Sequence, residues 1–222
     1  MTDFHLETRA DTRILWFNRA PENALTTAML EEGTAALNVM ASDPPRGGLV
    51  LASALPAFTA GVDTKAAAAL DDDGRRRLRD GVNAFCAALY RLPCAVVAAV
   101  GGHAIGAGGI ICLASDWTLI ADTPLKIGLP EAKAGLPFPA VPLIIMAHQL
   151  DPGWRRRLAR SSVLLTPYQA VAAGLADAVV PARDLVDLAV AQAAALSSQP
   201  AFAVIKQDLR RAALAEIAAV ID

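Results

Sequence analysis

Ala95-Val96-Val97-Ala98-Ala99-Val100-Gly101-Gly102-His103-Ala104-Ile105-Gly106-Ala107-Gly108-Gly109-Ile110-Ile111-Cys112 is the stretch on which the reading of this chain turns. Its first six residues are small or β-branched and uniformly apolar, the pattern of a strand buried on both faces. The glycines then interrupt it, and Gly106 to Gly109 open a short apolar helix that ends near Ser115. From Leu92 to Ala114 the only ionisable residue is His103, and the run is long enough to cross a bilayer. Pro93 and the glycines at 101, 102, 106, 108 and 109 break it into strand, turn and helix start, which predicts the interior of a folded domain rather than a membrane span.

Outward from that stretch, strands and helices alternate. Phe4 to Thr8 and Arg13 to Phe17 read as an opening hairpin. From Thr26 the residues Met29, Leu30, Gly33, Leu37 and Met40 recur at helical spacing, and Pro44-Pro45 ends the pattern. Gly48 to Ala52 is an interior strand leading into a loop from Pro56 to Asp63. After Asp71-Asp72-Asp73-Gly74, a helix places Leu78, Val82, Phe85, Cys86 and Leu89 on one stripe up to Pro93. Downstream, Trp117 to Ala121 and Leu125 to Gly128 read as strands, and the chain after Glu131 as mainly helical. An extended segment returns at Ala178 to Val180, and helices cover about 183–197 and Pro200 to the end. With no linker and no fixed-period repeat, this is an α/β protein.

Composition narrows the function classes. The 222 residues are 55% hydrophobic, 5% aromatic and 19% charged, which describes a tightly packed globule built from small aliphatic side chains. A formal net charge of -2 supplies no field to gather nucleic acid or an anionic membrane surface. Cys86, Cys94 and Cys112 form neither a disulfide framework nor a metal-ligand pattern and read as core residues, so no metal site is expected. The Met-Thr-Asp-Phe-His start lacks the basic head and apolar stretch of an export signal. A reducing cytoplasm is the expected setting.

The chain contains no GxSxG, HExxH or GxxxxGK[ST], and His5, His103 and His148 lie in unrelated contexts, which removes hydrolase triads and phosphate-loop enzymes. The glycine segment lacks the third glycine and the distal acid of a dinucleotide fingerprint. What it offers is backbone N–H groups at a helix start, free of intrahelical partners and at the positive end of the dipole. Ala60-Gly61-Val62 has the same potential to bring bare main chain against a ligand. Two such donors converging on one carbonyl oxygen would stabilise an enolate by several kcal/mol. The alternative is that these glycines only permit close packing.

Four stretches, Asn18-Arg19-Ala20-Pro21-Glu22-Asn23-Ala24-Leu25, Ala57-Phe58-Thr59-Ala60-Gly61-Val62-Asp63, Gly101 to Gly109 and Pro130-Glu131-Ala132-Lys133-Ala134-Gly135-Leu136, resemble the successive motifs of the crotonase family, the enoyl-CoA hydratases and isomerases. Ala170 to Pro181 resembles the family's next block, so the likeness covers nearly the whole chain. The resemblance implies a spiral of ββα units over residues 1–181 and a helical C-terminal region over 182–222 that assembles trimers or hexamers. It implies an acyl-CoA thioester as ligand, with coenzyme A entering as part of the substrate and no separate cofactor. By position, Val62 and Ala107 would supply the two oxyanion amides, with Gly108 as the alternative second donor. Ala24, Ala60 and Asp63 fall where family members contact the CoA nucleotide, largely through backbone, and Gly61 joins them in the substrate-binding set. Lys65 matches a lysine that approaches the phosphates, and Lys206 is expected to do likewise from an adjacent subunit.

Hydratases of this family use two glutamates. The resemblance places the first position at Ile110, within the substrate-binding set but unable to move a proton, and the second at Glu131. An aliphatic residue at the first position is similar to the monofunctional Δ3,Δ2-enoyl-CoA isomerases. Hydration needs a positioned water and protons handled at two sites, whereas moving a double bond needs one base that takes a C2 proton and returns it at C4. Isomerisation is therefore the first expectation, with hydration, another thioester reaction or catalytically idle acyl-CoA binding as alternatives. Partial burial among Leu129, Leu136 and Phe138 would raise the pKa of Glu131. Arg75, Arg76, Arg77 and Arg79, like Arg155, Arg156, Arg157 and Arg160, read as solvated helix faces. His103 reads as a turn residue, and Asp116 and Asp122 as structural.

Overall fold

The computed structural model describes residues 3–221; Met1, Thr2 and Asp222, the tips of the expected opening segment and last helix, lie outside the described residues. Strands β1 (Phe4–Arg9) and β2 (Thr12–Phe17) form the opening hairpin, with Phe4 opposite Phe17. Helix α1 (Thr27–Ser42) is capped by the Thr26 hydroxyl, which accepts from the Met29 amide. It buries Met29, Leu30, Gly33, Leu37 and Met40, the stripe expected from the sequence.

Three ββα turns follow. The first is β3 (Leu49–Ser53), β4 (Ala57–Thr59), the short α2 (Thr64–Ala68) and the long α3 (Asp72–Arg91). The second is β5 (Val96–Val100), β6 (His103–Ile105) and α4 (Ala107–Ala114). The third is β7 (Trp117–Ala121), β8 (Ile127–Gly128) and the one-turn α5 (Glu131–Ala134). Each turn gives its first strand to one sheet and its second to a smaller one; with β9 (Leu164–Leu165) and β10 (Ala178–Val180) added, the orders are β1-β2-β3-β5-β7-β10 and β4-β6-β8-β9. Strands β3, β5 and β7 pair in parallel, as do β4, β6 and β8. The architecture is the expected spiral of ββα units.

The remaining elements are α6 (Ala140–Gln149), α7 (Pro152–Ser161), β9 (Leu164–Leu165), α8 (Pro167–Ala173), β10 (Ala178–Val180), α9 (Leu185–Ser197) and α10 (Phe202–Ile221). By pattern alone, 56–63 reads as loop, the 101–106 glycine segment as turn, and 164–165 as no strand. All three carry strands of the smaller sheet, too short for any period to register and created by pairing with distant segments. Conversely, only Ile127–Gly128 of the expected strand from Leu125 is extended.

Leu92 to Ala114 folds back into the core, with Val96, Val97, Ala98, Val100 and Ile111 inaccessible to solvent. Among the described residues no single helix is long and apolar enough to cross a membrane. The three cysteines are buried and unpaired. Helix α10 is fastened to the core by a buried ion cluster. Asp116 accepts from Lys206 Nζ at 2.6 Å, from Arg210 at 2.8 Å and from the Val96 amide at 2.8 Å.

Candidate active site

Parallel pairing of β4, β6 and β8 decides where the chain can do chemistry. Thr59 lies beside Ala104 and Ile105 beside Gly128, so the segments leaving these strands emerge side by side at one edge. Within three residues of each strand end the chain reaches Val62, Ala107 and Glu131. Three residues separated by up to 69 positions in sequence thus share one corner of the fold because consecutive turns of the spiral stack in register.

The Val62 segment is held from the Asn18–Leu25 motif. Leu25 donates its amide to Gly61 O at 2.7 Å, and the Asp63 amide donates to Leu25 O at 2.9 Å. This bridge turns the N–H of the intervening Val62 to the other side, where no protein acceptor meets it among the described residues. Gly61 makes the bend at φ +80°, and its backbone presses on the next turn: a Cβ there would stand 2.7 Å from Ile105 O and 3.5 Å from Ala107 N. The segment carrying Val62 and the amide of Ala107 are therefore neighbours.

Ala107 is the first residue of α4, whose orphan amides are its own and those of Gly108 and Gly109. The residue before it, Gly106, has no side chain with which to cap them, and its own N–H donates to Gly128 O at 2.8 Å. The helix start is left open for an anion.

Glu131 completes the corner. Its Oε1 lies 3.1 Å from where a Gly106 Cβ would stand, one residue from the Ala107 amide. Among the described residues its Oε2 is buried with no hydrogen-bond partner. Burial pushes the Glu131 carboxyl up to about 7, opposed only by its own backbone amide. A carboxylate so placed is dry, unpaired and poised to exchange a proton near neutrality.

The other expected ligand contacts divide. Ala24, Ala60, Gly61 and Asp63 lie together around the Leu25–Val62 bridge, and Lys65 is exposed on α2 beside them. The Ala24 carbonyl accepts from Arg19 at 2.8 Å, and the Ala60 amide donates to Glu22 O at 3.0 Å. The Asp63 carboxylate accepts from the Ala66 amide and pairs with Arg19 at 3.3 Å. The Ala66 amide and then Arg19 hold its carboxyl below the usual range against the opposing effect of burial. A recess of about 190 Å³ opens beside Leu25, Thr26, Asp63 and Ala66.

One expectation is corrected. Lys206 is 7% exposed, and its ammonium donates to Cys94 O at 2.8 Å as well as to Asp116, so it is spent on docking α10 and does not reach out to a neighbour's phosphates. Ile110, on α4 three residues beyond Ala107, is 1% exposed and packs with the hydrophobic core.

Arg19 and Asn23 received no role from the sequence. Asn23 is fully buried at φ +52°, and its amide nitrogen donates to Ser53 Oγ, Ala57 O and Phe58 O. The available signal was an asparagine just after Pro21-Glu22, since Asn tolerates a left-handed backbone and can bond neighbouring main chain from there.

With this geometry in view, the sequence model of the enoyl-CoA hydratase/isomerase family matches residues 12–221. The chain is similar to the probable enoyl-CoA hydratase EchA17 of Mycobacterium tuberculosis, with 30% identity over 188 residues, 83% of this chain and 70% of that protein. Among solved structures it is similar to the probable enoyl-CoA hydratase EchA3 of Mycobacterium tuberculosis, at 25% identity and a TM-score of 0.90, over 99% of this chain and 93% of the other. It shares the fold of human mitochondrial Δ3,Δ2-enoyl-CoA isomerase, at 23% identity and a TM-score of 0.88, over 99% and 90% of the two chains.

Proposed function

This chain belongs to the enoyl-CoA hydratase/isomerase family, and from that premise we propose that it moves the double bond of an enoyl-CoA ester through an enolate. The amides of Val62 and Ala107 hold the thioester oxygen as negative charge develops on it, with Gly108 the alternative to Ala107. Glu131 takes the C2 proton and returns it at C4, so the carboxylate is regenerated and no external proton or water is consumed. No metal or redox cofactor enters this scheme. The observation that carries the reading is the buried, unpartnered Oε2 of Glu131 beside the open start of α4.

Hydration is the second reading, favoured by the name of the curated relative. Against it stands the buried Ile110 at the position where the family's hydratases keep another acid. Ala24, Ala60, Asp63 and Lys65 are assigned to the CoA moiety, supported by their clustering around the bridge that presents Val62. Assembly as a trimer or hexamer is supported by apolar side chains on the outer face of α10, where Leu209 is 81% and Val204 61% exposed.

The test is incubation with 3-enoyl-CoA and 2-enoyl-CoA esters in heavy water, read by mass and by product identity. Isomerisation predicts interconversion of the two esters, with any deuterium that exchanges onto Glu131 delivered to C4 of the 2-enoyl product and to C2 of the 3-enoyl ester, and all of it abolished in Glu131→Gln while acyl-CoA binding persists. A hydroxyacyl product would favour hydration, and binding without exchange or turnover would leave an idle binding protein.

A further inference from the structure

We propose that Thr59 is the positioning residue that sets the spacing between the two oxyanion amides, a role that rests on the assignment of those amides to Val62 and Ala107. Thr59 is the last residue of β4 and inaccessible to solvent, a site at which a hydroxyl is costly unless both its donor and its acceptor capacity are used. Both are. The hydroxyl donates to Asn23 O at 2.6 Å and accepts from the Gly61 amide at 3.1 Å.

The first bond ties Thr59 to the motif that grips β4, and the second fixes the amide immediately before Val62. From Gly61 the constraint continues, because the Gly61 carbonyl accepts from Leu25 and Leu25 accepts from Asp63. The amides around Val62 are all anchored, Ala60 by Glu22 O, Gly61 by Thr59 and Asp63 by Leu25 O, while that of Val62 meets no acceptor among the described residues.

The rest of Thr59 faces the second donor. A Cβ on Gly108 would stand 2.9 Å from Thr59 Cγ2 and 3.1 Å from Thr59 O, so the threonine packs directly on the main chain of the first turn of α4. One side chain therefore holds the first oxyanion segment by its hydroxyl and abuts the second by its methyl. Oxyanion stabilisation depends on donor placement to a fraction of an ångström, and a displacement of about 1 Å costs about a hundredfold in rate. Thr59 touches no reacting atom in this scheme and acts through Gly61 and Gly108.

Thr59→Val keeps the shape and removes the hydroxyl, leaving the Gly61 amide and Asn23 carbonyl without their partner; Thr59→Ser keeps the hydroxyl and removes the methyl. The experiment compares wild type, Thr59→Val and Thr59→Ser for α-deuterium exchange of a 3-enoyl-CoA ester, with kcat normalised to folded protein, KM, and the pH profile. The expected result is a kcat lower by about ten- to a hundredfold in Thr59→Val, with KM within about threefold and the same pH midpoint. Thr59→Ser, which keeps the hydrogen-bonded anchor on Gly61 and loosens only the van der Waals contact with Gly108, should lose less, with kcat within about threefold of wild type. If Thr59→Val does not fold, Thr59→Cys replaces it, since cysteine and serine both lack the methyl and differ in hydrogen-bonding strength. An unchanged kcat in Thr59→Val or Thr59→Cys, or an equal loss in Thr59→Ser, overturns the inference while leaving the enzyme reading intact. Absence of both exchange and isomerisation in the wild type overturns the functional reading, and this inference with it.

Discussion

A side chain on Gly106 and the carboxylate of Glu131 compete for the same space, since a Cβ at Gly106 would meet Glu131 Oε1 at 3.1 Å. Gly106 also turns the chain at φ +59° and ψ -117° to start α4, a backbone that L residues rarely adopt. Gly106→Ala should therefore displace the base and tilt the Ala107 amide together. The expected outcome is a loss of about a hundredfold or more in kcat, with circular dichroism reporting a folded protein. Activity within a few-fold of wild type would separate the base and the oxyanion amide from this residue.

Glu131 sets the pH dependence. Burial raises its carboxyl to about 7, so below that value the base is protonated and idle. The rate of α-exchange, followed as kcat/KM, should rise with pH through about 7 and level off above it. A midpoint near 4.5, the ordinary value, would mean that the carboxylate is solvated in the working enzyme.

How far this site was legible depends on what each residue answers to. Helices α1 and α3 announced themselves because one face of each packs against the other, so Met29, Leu37, Leu78 and Phe85 repeat at helical spacing. Strands β3 and β5 were legible as short apolar runs because both faces are covered. Strands β4 and β6, which bring Val62 and Ala107 together, are three residues each and owe their extended form to each other. Glu131 stood out only through its motif, since its burial comes from packing that no local pattern encodes. Lys206 was misread for a related reason. A lysine is normally solvated, and the acid that draws it inside, Asp116, is 90 positions away.

That buried pair gives a prediction of its own. Lys206 and Arg210 share Asp116 beneath α10, and burial together with Arg210 lowers the pKa of Lys206 against the pull of Asp116. Lys206→Met removes one cation and leaves the Cys94 carbonyl without its donor. Unfolding in urea should show a loss of about 3 kcal/mol, as for other broken buried pairs, while KM for acyl-CoA per folded molecule changes less than about twofold. A large rise in KM with little change in stability would return Lys206 to the ligand.

The same burial that tunes Glu131 should cost the protein stability, with a sign that can be worked out. The folded pKa, about 7, lies above the ordinary 4.5. Below 4.5 the group is protonated whether the chain is folded or not, and it contributes no pH dependence. Between 4.5 and about 7 the folded state holds the proton more tightly, so stability falls as pH rises; above 7 the penalty is complete. Glu131→Gln removes the charge but keeps the shape, so it should be more stable than wild type at pH 8 by on the order of 2 kcal/mol and nearly equal to it at pH 4. Denaturant melts of the two proteins at both pH values measure the difference, and a gap of equal size at the two would trace the gain to packing rather than to the buried charge.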